Sequence, residues 1–132
     1  MIREQEVTII KKPKNPSENL SDFLNFVDAC TQEYQWACDG MEEEDKRLQD
    51  LLHEIEFAAD RAERNCVATR LQTSRKQRRK MKDLMKRNEQ VVKFFEDEQN
   101  RKLLNKMRQL LGRQRKEEEY LEGERTYKPR VK

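Results

Sequence analysis

The stretch from residue 41 to residue 111 contains neither glycine nor proline. These two residues are the ones that most often end regular secondary structure, so 71 consecutive residues without them are not typical of loops or of a sheet. Apolar residues recur with helical spacing through most of the stretch. We therefore predict long helices that fold back once.

The composition restricts the kind of core that such helices can form. Charged residues make up 42% of the chain and hydrophobic residues 34%, which is less than the apolar share of an ordinary globular domain. A rounded core is disfavoured, which leaves a narrow coiled-coil seam or disorder. The heptad spacing favours the seam, because a disordered chain has no reason to keep it. The predicted fold is all-α, a long antiparallel helical hairpin that resembles a coiled coil.

Apolar residues in the first arm follow an a/d pattern in which steps of three and four alternate. Glu44 is the one charged residue at a seam position. Gly40 also lies in this register, and the pattern fits either one continuous helix or two helices that meet near residue 40. The residues predicted to form the hydrophobic seam are Leu20, Phe23, Val27, Tyr34, Leu48, Leu51 and Ile55 in the first arm, and Met81, Leu84, Val91, Phe95, Leu103, Met107 and Leu110 in the second.

Local signals set the predicted segment boundaries. Ser17 or Asn19 is suited to cap the first helix, Ser74 with Gln77 matches a capping box, and Gly112 is suited to stop the second arm. The apolar rhythm weakens shortly before Ser74, where we expect the chain to reverse. The predicted segments are an extended arm or edge strand over residues 1–16, the helical hairpin over 17–122 with its fold-back within 63–75, and a tail over 123–132.

Charge is divided into two blocks along the chain. The segment 70–87 holds nine basic residues and one acidic residue, whereas 42–63 holds nine acidic and three basic residues. A reversal near residue 66 would bring the blocks together, and opposite charges beside a seam select partner and orientation in paired helices. The same complementarity would serve an antiparallel dimer. Because two helices alone bury little surface, we predict a homo-oligomer.

The basic block is the strongest candidate for a binding site. Helical spacing places several of its side chains on one face, which could follow the phosphates of a nucleic acid, bind a partner protein, pair with the acidic block, or remain solvated. The block contains no aromatic residue on which a base could stack. The predicted basic face consists of Arg75, Lys76, Arg79, Lys80, Lys82, Lys86 and Arg87.

The acidic block is the second candidate. It would bind a basic partner protein. Alternatively, it would imitate nucleic-acid phosphates in an inhibitor of a host nucleic-acid enzyme. Phe26 and Trp36 lie off the seam and would be anchors for a partner if exposed, although we favour a place for them in the core. The predicted acidic partner face consists of Glu42, Glu43, Asp45, Asp50, Glu54 and Glu56.

Several function classes lack their sequence motifs. No nucleophile-elbow, P-loop or Rossmann pattern is present, so we predict a protein that is not an enzyme and uses no cofactor. His53 is the one histidine, and although Asp50 and Glu56 share its helical face, one histidine makes a poor metal site; none is predicted. The three cysteines form no CxxC pair and are expected as reduced thiols. No apolar run could span a bilayer and no secretory signal is present, so we expect a cytoplasmic protein without a membrane partner.

The closing region reads FFEDEQNRKLLNKMRQLLGRQRKEEEYLEGERTYKPRVK and ends in YKPRVK. In general texture and in this ending it resembles the C-terminal part of small helical proteins carried by phages and mobile elements of Gram-positive bacteria. The resemblance covers about a third of the chain and includes no motif with a known chemical role. It implies a phage-encoded accessory protein that binds a host component, with inhibition of that component as one alternative. The expected partner is an unidentified protein.

Overall fold

The computed structural model describes residues 14–131, which form three α-helices and no strand. The predicted all-α class is confirmed. The predicted arm or edge strand lies almost entirely outside the described residues, and Pro16 is already helical. The helices are α1 over Pro16–Glu56, α2 over Arg61–Glu96 and α3 over Glu98–Glu122.

The start of α1 is set by Pro16. Proline suits the first helical position, because its missing N–H would have no partner in the helix anyway. The carbonyl oxygen of Asn15 accepts hydrogen bonds from the N–H groups of Glu18 at 2.9 Å and Asn19 at 3.3 Å. The helix therefore begins before Ser17, which lies buried in its first turn rather than at the cap.

Gly40 lies inside α1, which continues through it as one helix. A Cβ atom at this position would stand 2.8 Å from the Met81 sulfur on α2. The absent side chain therefore lets the Met81 side chain approach the backbone of α1, and this close approach is the structural reason for a glycine here.

The break between α1 and α2 lies at residues 57–60. Asp60 caps α2, because its Oδ1 accepts the N–H of Glu63 at 2.8 Å, and the Glu63 carboxylate accepts the N–H of Ala59 at 2.7 Å. This exchange is close to a capping box. The predicted fold-back window, 63–75, was wrong, because it lies entirely within α2.

A second break separates α2 from α3 at Asp97, where the sequence predicted one continuous arm. Acidic residues at 96–98 oppose the dipole at the end of α2 and suit the beginning of α3. Gly112 does not stop the arm, since α3 continues through it to Glu122. Residues 123–131 form no helix, and the predicted tail begins at that boundary.

The described chain divides into two compact units, one formed by residues 27–97 and the other by residues 14–26 together with 98–131. In the 27–97 unit, buried positions recur every seventh residue on each helix, which is the spacing of a coiled-coil seam. These positions are Cys30, Ala37, Glu44 and Leu51 on α1, and Val67, Ser74, Met81 and Asn88 on α2.

Contacts between α1 and α2 follow a regular order in the 27–97 unit. Hydrogen bonds join Glu54 to Arg70, Asp45 to Arg78 and Glu33 to Asn88, so residue numbers fall on α1 as they rise on α2. A reversal near residue 66 would have placed Arg78 opposite Glu54. It bonds Asp45 instead, a displacement of nine residues that follows from the earlier break.

The predicted seam is only partly buried. Val27, Leu51 and Met81 are buried, whereas Phe23, Leu103 and Leu110 are exposed and do not form part of a core. Their neighbours Leu24 and Leu104 face inward instead, because a shift of one residue turns a helix by about 100°. The remaining predicted seam residues are intermediate in burial: Leu20, Tyr34, Leu48, Ile55, Leu84, Val91, Phe95 and Met107.

The unit of residues 14–26 and 98–131 joins the start of α1 to the end of α3. The Glu118 carboxylate accepts the backbone N–H of Ser17 at 3.0 Å and also its hydroxyl. Arg115 reaches the Ser21 hydroxyl oxygen at 3.4 Å. The hydrogen bond from Ser17 lowers the pKa of Glu118. A carboxylate of α3 thus satisfies an N–H group in the first turn of α1 that has no partner within the helix.

Candidate interaction surfaces on α1 and α2

A buried carboxylate interrupts the seam between α1 and α2. Glu44 is 6% exposed, and its Oε2 accepts the Ser74 hydroxyl at 2.5 Å, while its Oε1 pairs with the Arg47 guanidinium. A buried charge is tolerated only when it is paired and hydrogen-bonded, and both conditions hold here. The charged residue that breaks the apolar pattern therefore forms a polar layer in the seam.

Asn88 forms a second polar contact in the seam. Its side-chain amide donates to Glu33 Oε2 at 3.1 Å and to the Leu84 carbonyl oxygen at 2.9 Å. Single polar residues at seam positions fix the register of paired helices, since a displaced register leaves them without partners. Ser74 and Asn88 were not predicted as seam residues, although both belong to the seven-residue series that begins at Val67.

The predicted basic face lies on the exposed surface of α2. Lys86 pairs with Glu89 of the same helix, with Nζ and Oε2 3.6 Å apart. The two ion pairs from α2 to α1 use other side chains, Arg70 and Arg78. Within residues 14–131, the other six members of the face make no ion pair: Arg75, Lys76, Arg79, Lys80, Lys82 and Arg87.

The predicted acidic face is largely paired. Asp45 Oδ1 lies 2.6 Å from Arg78 Nε, and Glu54 Oε2 lies 2.5 Å from Arg70 Nη1. The hydrogen bond to Glu54 raises the pKa of Arg70. Within α1, Glu42 pairs with Lys46 and Glu43 with Arg47. Glu56 Oε2 lies 4.0 Å from His53 Nδ1 and has no lysine or arginine partner among the described residues. Asp50 makes no ion pair in the described part of the chain. Because four of the six carboxylates have a lysine or arginine partner, little unpaired negative charge is left to imitate a phosphate backbone.

An open groove runs along one side of the 27–97 unit between α1 and α2. Three successive depressions form it. The depression at Trp36 shares Glu44 and Gln77 with the middle depression, and the middle one shares Arg70 with the depression at Phe57. Trp36 lines one end and Phe57 the other, with exposed fractions of 60% and 77%. We name it the Trp36 groove. The expectation that Trp36 belongs to the core was wrong.

Each helix presents one stripe of side chains at the edge of this groove. On α1, Trp36, Glu43 and Phe57 line it, and Asp50 completes their seven-residue spacing. We name these four residues the α1 stripe. On α2, Thr73 lines the groove, and the same spacing continues along that flank. The α2 stripe consists of Thr73, Lys80, Arg87 and Phe94, all of them exposed.

Other kinds of site lack their components in residues 14–131. No group of three or more histidine, cysteine, aspartate or glutamate side chains there is arranged to hold a metal ion. The three cysteines are free thiols, and burial raises the pKa of Cys30. None of the described helices carries an apolar stretch that could cross a bilayer. Comparisons with models of protein families, with curated proteins and with solved structures found no match.

Proposed function

We propose that the protein is a non-enzymatic helical interaction module that self-associates, and that α1 and α2 form its antiparallel hairpin. The order of the contacts joining α1 to α2 supports opposite helix directions. The four residues between the helices are enough for a tight reversal. The polar layers at Glu44 and Asn88 support one fixed register for the pair.

The observation that carries this proposal is the exposure of large aromatic side chains beside a small core. Trp36, Phe57 and Phe94 are each more than half exposed. Aromatic side chains of this kind provide much of the binding energy in protein interfaces. The buried apolar residues within 27–97 are few and include small ones: Val27, Cys30, Ala37, Leu51, Val67, Met81 and Val92. A unit of this kind gains stability when a partner covers its exposed face.

Light scattering across a concentration series tests self-association. The chain has a mass of 16.1 kDa, and we expect the measured mass to rise from that value towards twice that value between micromolar and millimolar concentration. Raising the salt concentration should weaken the assembly, because charges at its interface are screened. A mass that stays at one chain across the whole range would contradict the proposal.

Nucleic-acid binding is a second candidate, favoured by the unpaired basic side chains of α2. Arg75, Arg79 and Lys82 surround a surface depression together with Arg78 and Asp83. The first three make no ion pair with any described residue, so their charges are available to phosphate groups. We also propose a cytoplasmic location, and the resemblance to phage and mobile-element proteins supports a host component as a further partner.

A triple charge reversal distinguishes nucleic-acid binding at this depression from non-specific attraction of nucleic acid to the positive net charge of the chain. Replacing Arg75, Arg79 and Lys82 by glutamate should abolish the retardation of DNA or RNA at low salt. The matched control reverses three exposed basic residues of α3: Arg101, Lys106 and Arg113. Equal loss in both variants would indicate a response to net charge alone, and no retardation by the unaltered chain would exclude this candidate.

A further inference from the structure

We propose that the Trp36 groove is the dimer interface, and that a second copy of the chain covers it. The two copies face each other across a twofold axis parallel to the helices, so that α1 of each copy lies against α2 of the other. The inference rests on the self-association proposed above and names the surface responsible for it. Four helices then enclose the side chains that one copy leaves exposed.

The charge pattern of the α1 stripe determines which surface can cover it. Glu43 and Asp50 occupy its middle and both are exposed, with Trp36 and Phe57 at its ends. Pairing this stripe with itself would bring carboxylates together, which is unfavourable. The covering helix must therefore present basic rather than acidic side chains along its stripe.

The α2 stripe meets this requirement. Lys80 and Arg87 lie seven residues apart on it, and neither makes an ion pair with any residue in 14–131. Thr73 at one end lines the groove, and Phe94 at the other is 55% exposed. Each copy therefore carries both the acidic and the basic half of the interface, as an interface with twofold symmetry requires.

Symmetry also fixes the register between the copies. A twofold axis parallel to the helices keeps every residue at its own height, so α1 faces the second copy's α2 in the register that α1 and α2 share within one chain. That register pairs residue 45 with 78 and residue 54 with 70. Across the interface it brings Glu43 opposite Lys80, and Trp36 opposite Arg87. Asp50 then lies opposite the uncharged Thr73.

These contacts are chemically complementary. The Glu43 carboxylate, which also pairs with Arg47 of its own helix, forms an ion pair with Lys80 of the second copy. The Arg87 guanidinium lies over the Trp36 indole, the aromatic ring that binds cations best. Symmetry makes each contact twice. Covering Trp36 and Phe57 also removes two large aromatic surfaces from water, and such removal is the main favourable term in association. Charges in the stripes therefore select the partner, and the aromatic side chains supply the affinity.

Two single charge reversals test the proposal, first separately and then mixed. In Glu43→Lys alone, and in Lys80→Glu alone, the interface brings like charges together twice, and we expect the dimer dissociation constant to rise at least about tenfold. Mixed in equal amounts, the two variants should form a heterodimer, because lysine at 43 then meets glutamate at 80 and the natural pair is kept at the other site. Light scattering and sedimentation measure both effects.

Glu42→Lys and Lys76→Glu are matched controls. They make the same charge changes at exposed positions of α1 and α2 that lie outside the two stripes. Circular dichroism should show that all four variants remain helical. A wild-type monomer would overturn self-association itself. A wild-type dimer that survives both stripe variants, or that the controls weaken equally, would overturn this interface and leave self-association standing. Failure of the mixture to regain the dimer would also overturn it.

Discussion

At the scale of single residues, Glu44 shows both what the sequence can predict and what it cannot. Its place in the a/d pattern identifies it as a charged residue at a seam position. Its partner is not evident from the sequence, because Ser74 reads equally well as a helix cap. The choice depends on which side chains the register brings together, and the register depends on a break that lies earlier in the chain than its apolar spacing predicts. Ser74 is instead 3% exposed and donates to Glu44.

Ser74→Ala should destabilise the chain because it removes a hydrogen bond from a buried carboxylate. The expected loss in the free energy of unfolding is about 1–3 kcal/mol, measured by urea denaturation. Thr31→Ala is the matched control, since the exposed Thr31 side chain lies outside both stripes and its hydroxyl donates to the Val27 carbonyl of its own helix. That control should change stability by no more than about 0.5 kcal/mol. Equal losses in the two variants would show that the Glu44 layer is not a particular source of stability.

Glu118 should make the unit of residues 14–26 and 98–131 sensitive to acid. The hydrogen bonds from Ser17 lower the pKa of Glu118 in the folded chain. A lowered carboxyl pKa stabilises the folded state above the pKa of the unfolded chain, and this contribution is lost as the pH falls through the folded-state value. The protection factors of the amides in the first turn of α1, which compare their exchange with the intrinsic rate at each pH, should therefore fall on acidification.

Glu118→Gln tests this assignment, because glutamine can still accept a hydrogen bond but does not titrate. Its first-turn amides should exchange faster than those of the wild type at neutral pH, and their exchange should depend less on acid once the intrinsic pH dependence is removed. An unchanged acid response in this variant would locate the titration at another group.

At the scale of helices, the absence of glycine and proline predicts helix content better than helix ends. The stretch 41–111 is interrupted twice without either residue, at 57–60 and at Asp97. Asp60 and Glu63 form the cap that starts α2, and their spacing was visible in the sequence. A short acidic pattern of this kind also fits a solvated helix surface, so it does not locate a break unless the contacts around it are known.

Two glycines in helix interiors provide a direct comparison at this scale. Gly112→Ala should raise the free energy of unfolding by about 1 kcal/mol, because alanine favours the helix and a Cβ atom there meets nothing within 4 Å. At Gly40 the same substitution brings a Cβ atom to 2.8 Å from the Met81 sulfur, so displacement of that side chain should cancel the gain. Chemical denaturation of the two variants measures the difference. An equal gain at both positions would contradict the close approach at Gly40.

At the scale of the whole molecule, composition and spacing predict the all-α class and the importance of the charge blocks. They do not predict which basic side chains of α2 pair with α1 and which remain without an ion-pair partner. Arg70 and Arg78 bind α1, whereas most of the predicted basic face has no ion-pair partner among the described residues. Nor do they predict the exposure of Trp36, because an aromatic residue off the seam fits a core as well as a surface. Both features depend on the register between α1 and α2. That register changes when the break between the two helices moves by a few residues.

The fluorescence of Trp36, the one tryptophan in the chain, tests most directly whether a second copy covers the groove. In a single copy this side chain is 60% exposed to water. We predict that its emission maximum shifts to shorter wavelength as the concentration rises, in step with the mass measured by light scattering. The shift should be absent in Glu43→Lys and return when Lys80→Glu is added. An emission maximum that stays constant while the mass doubles would show that the copies associate through another surface.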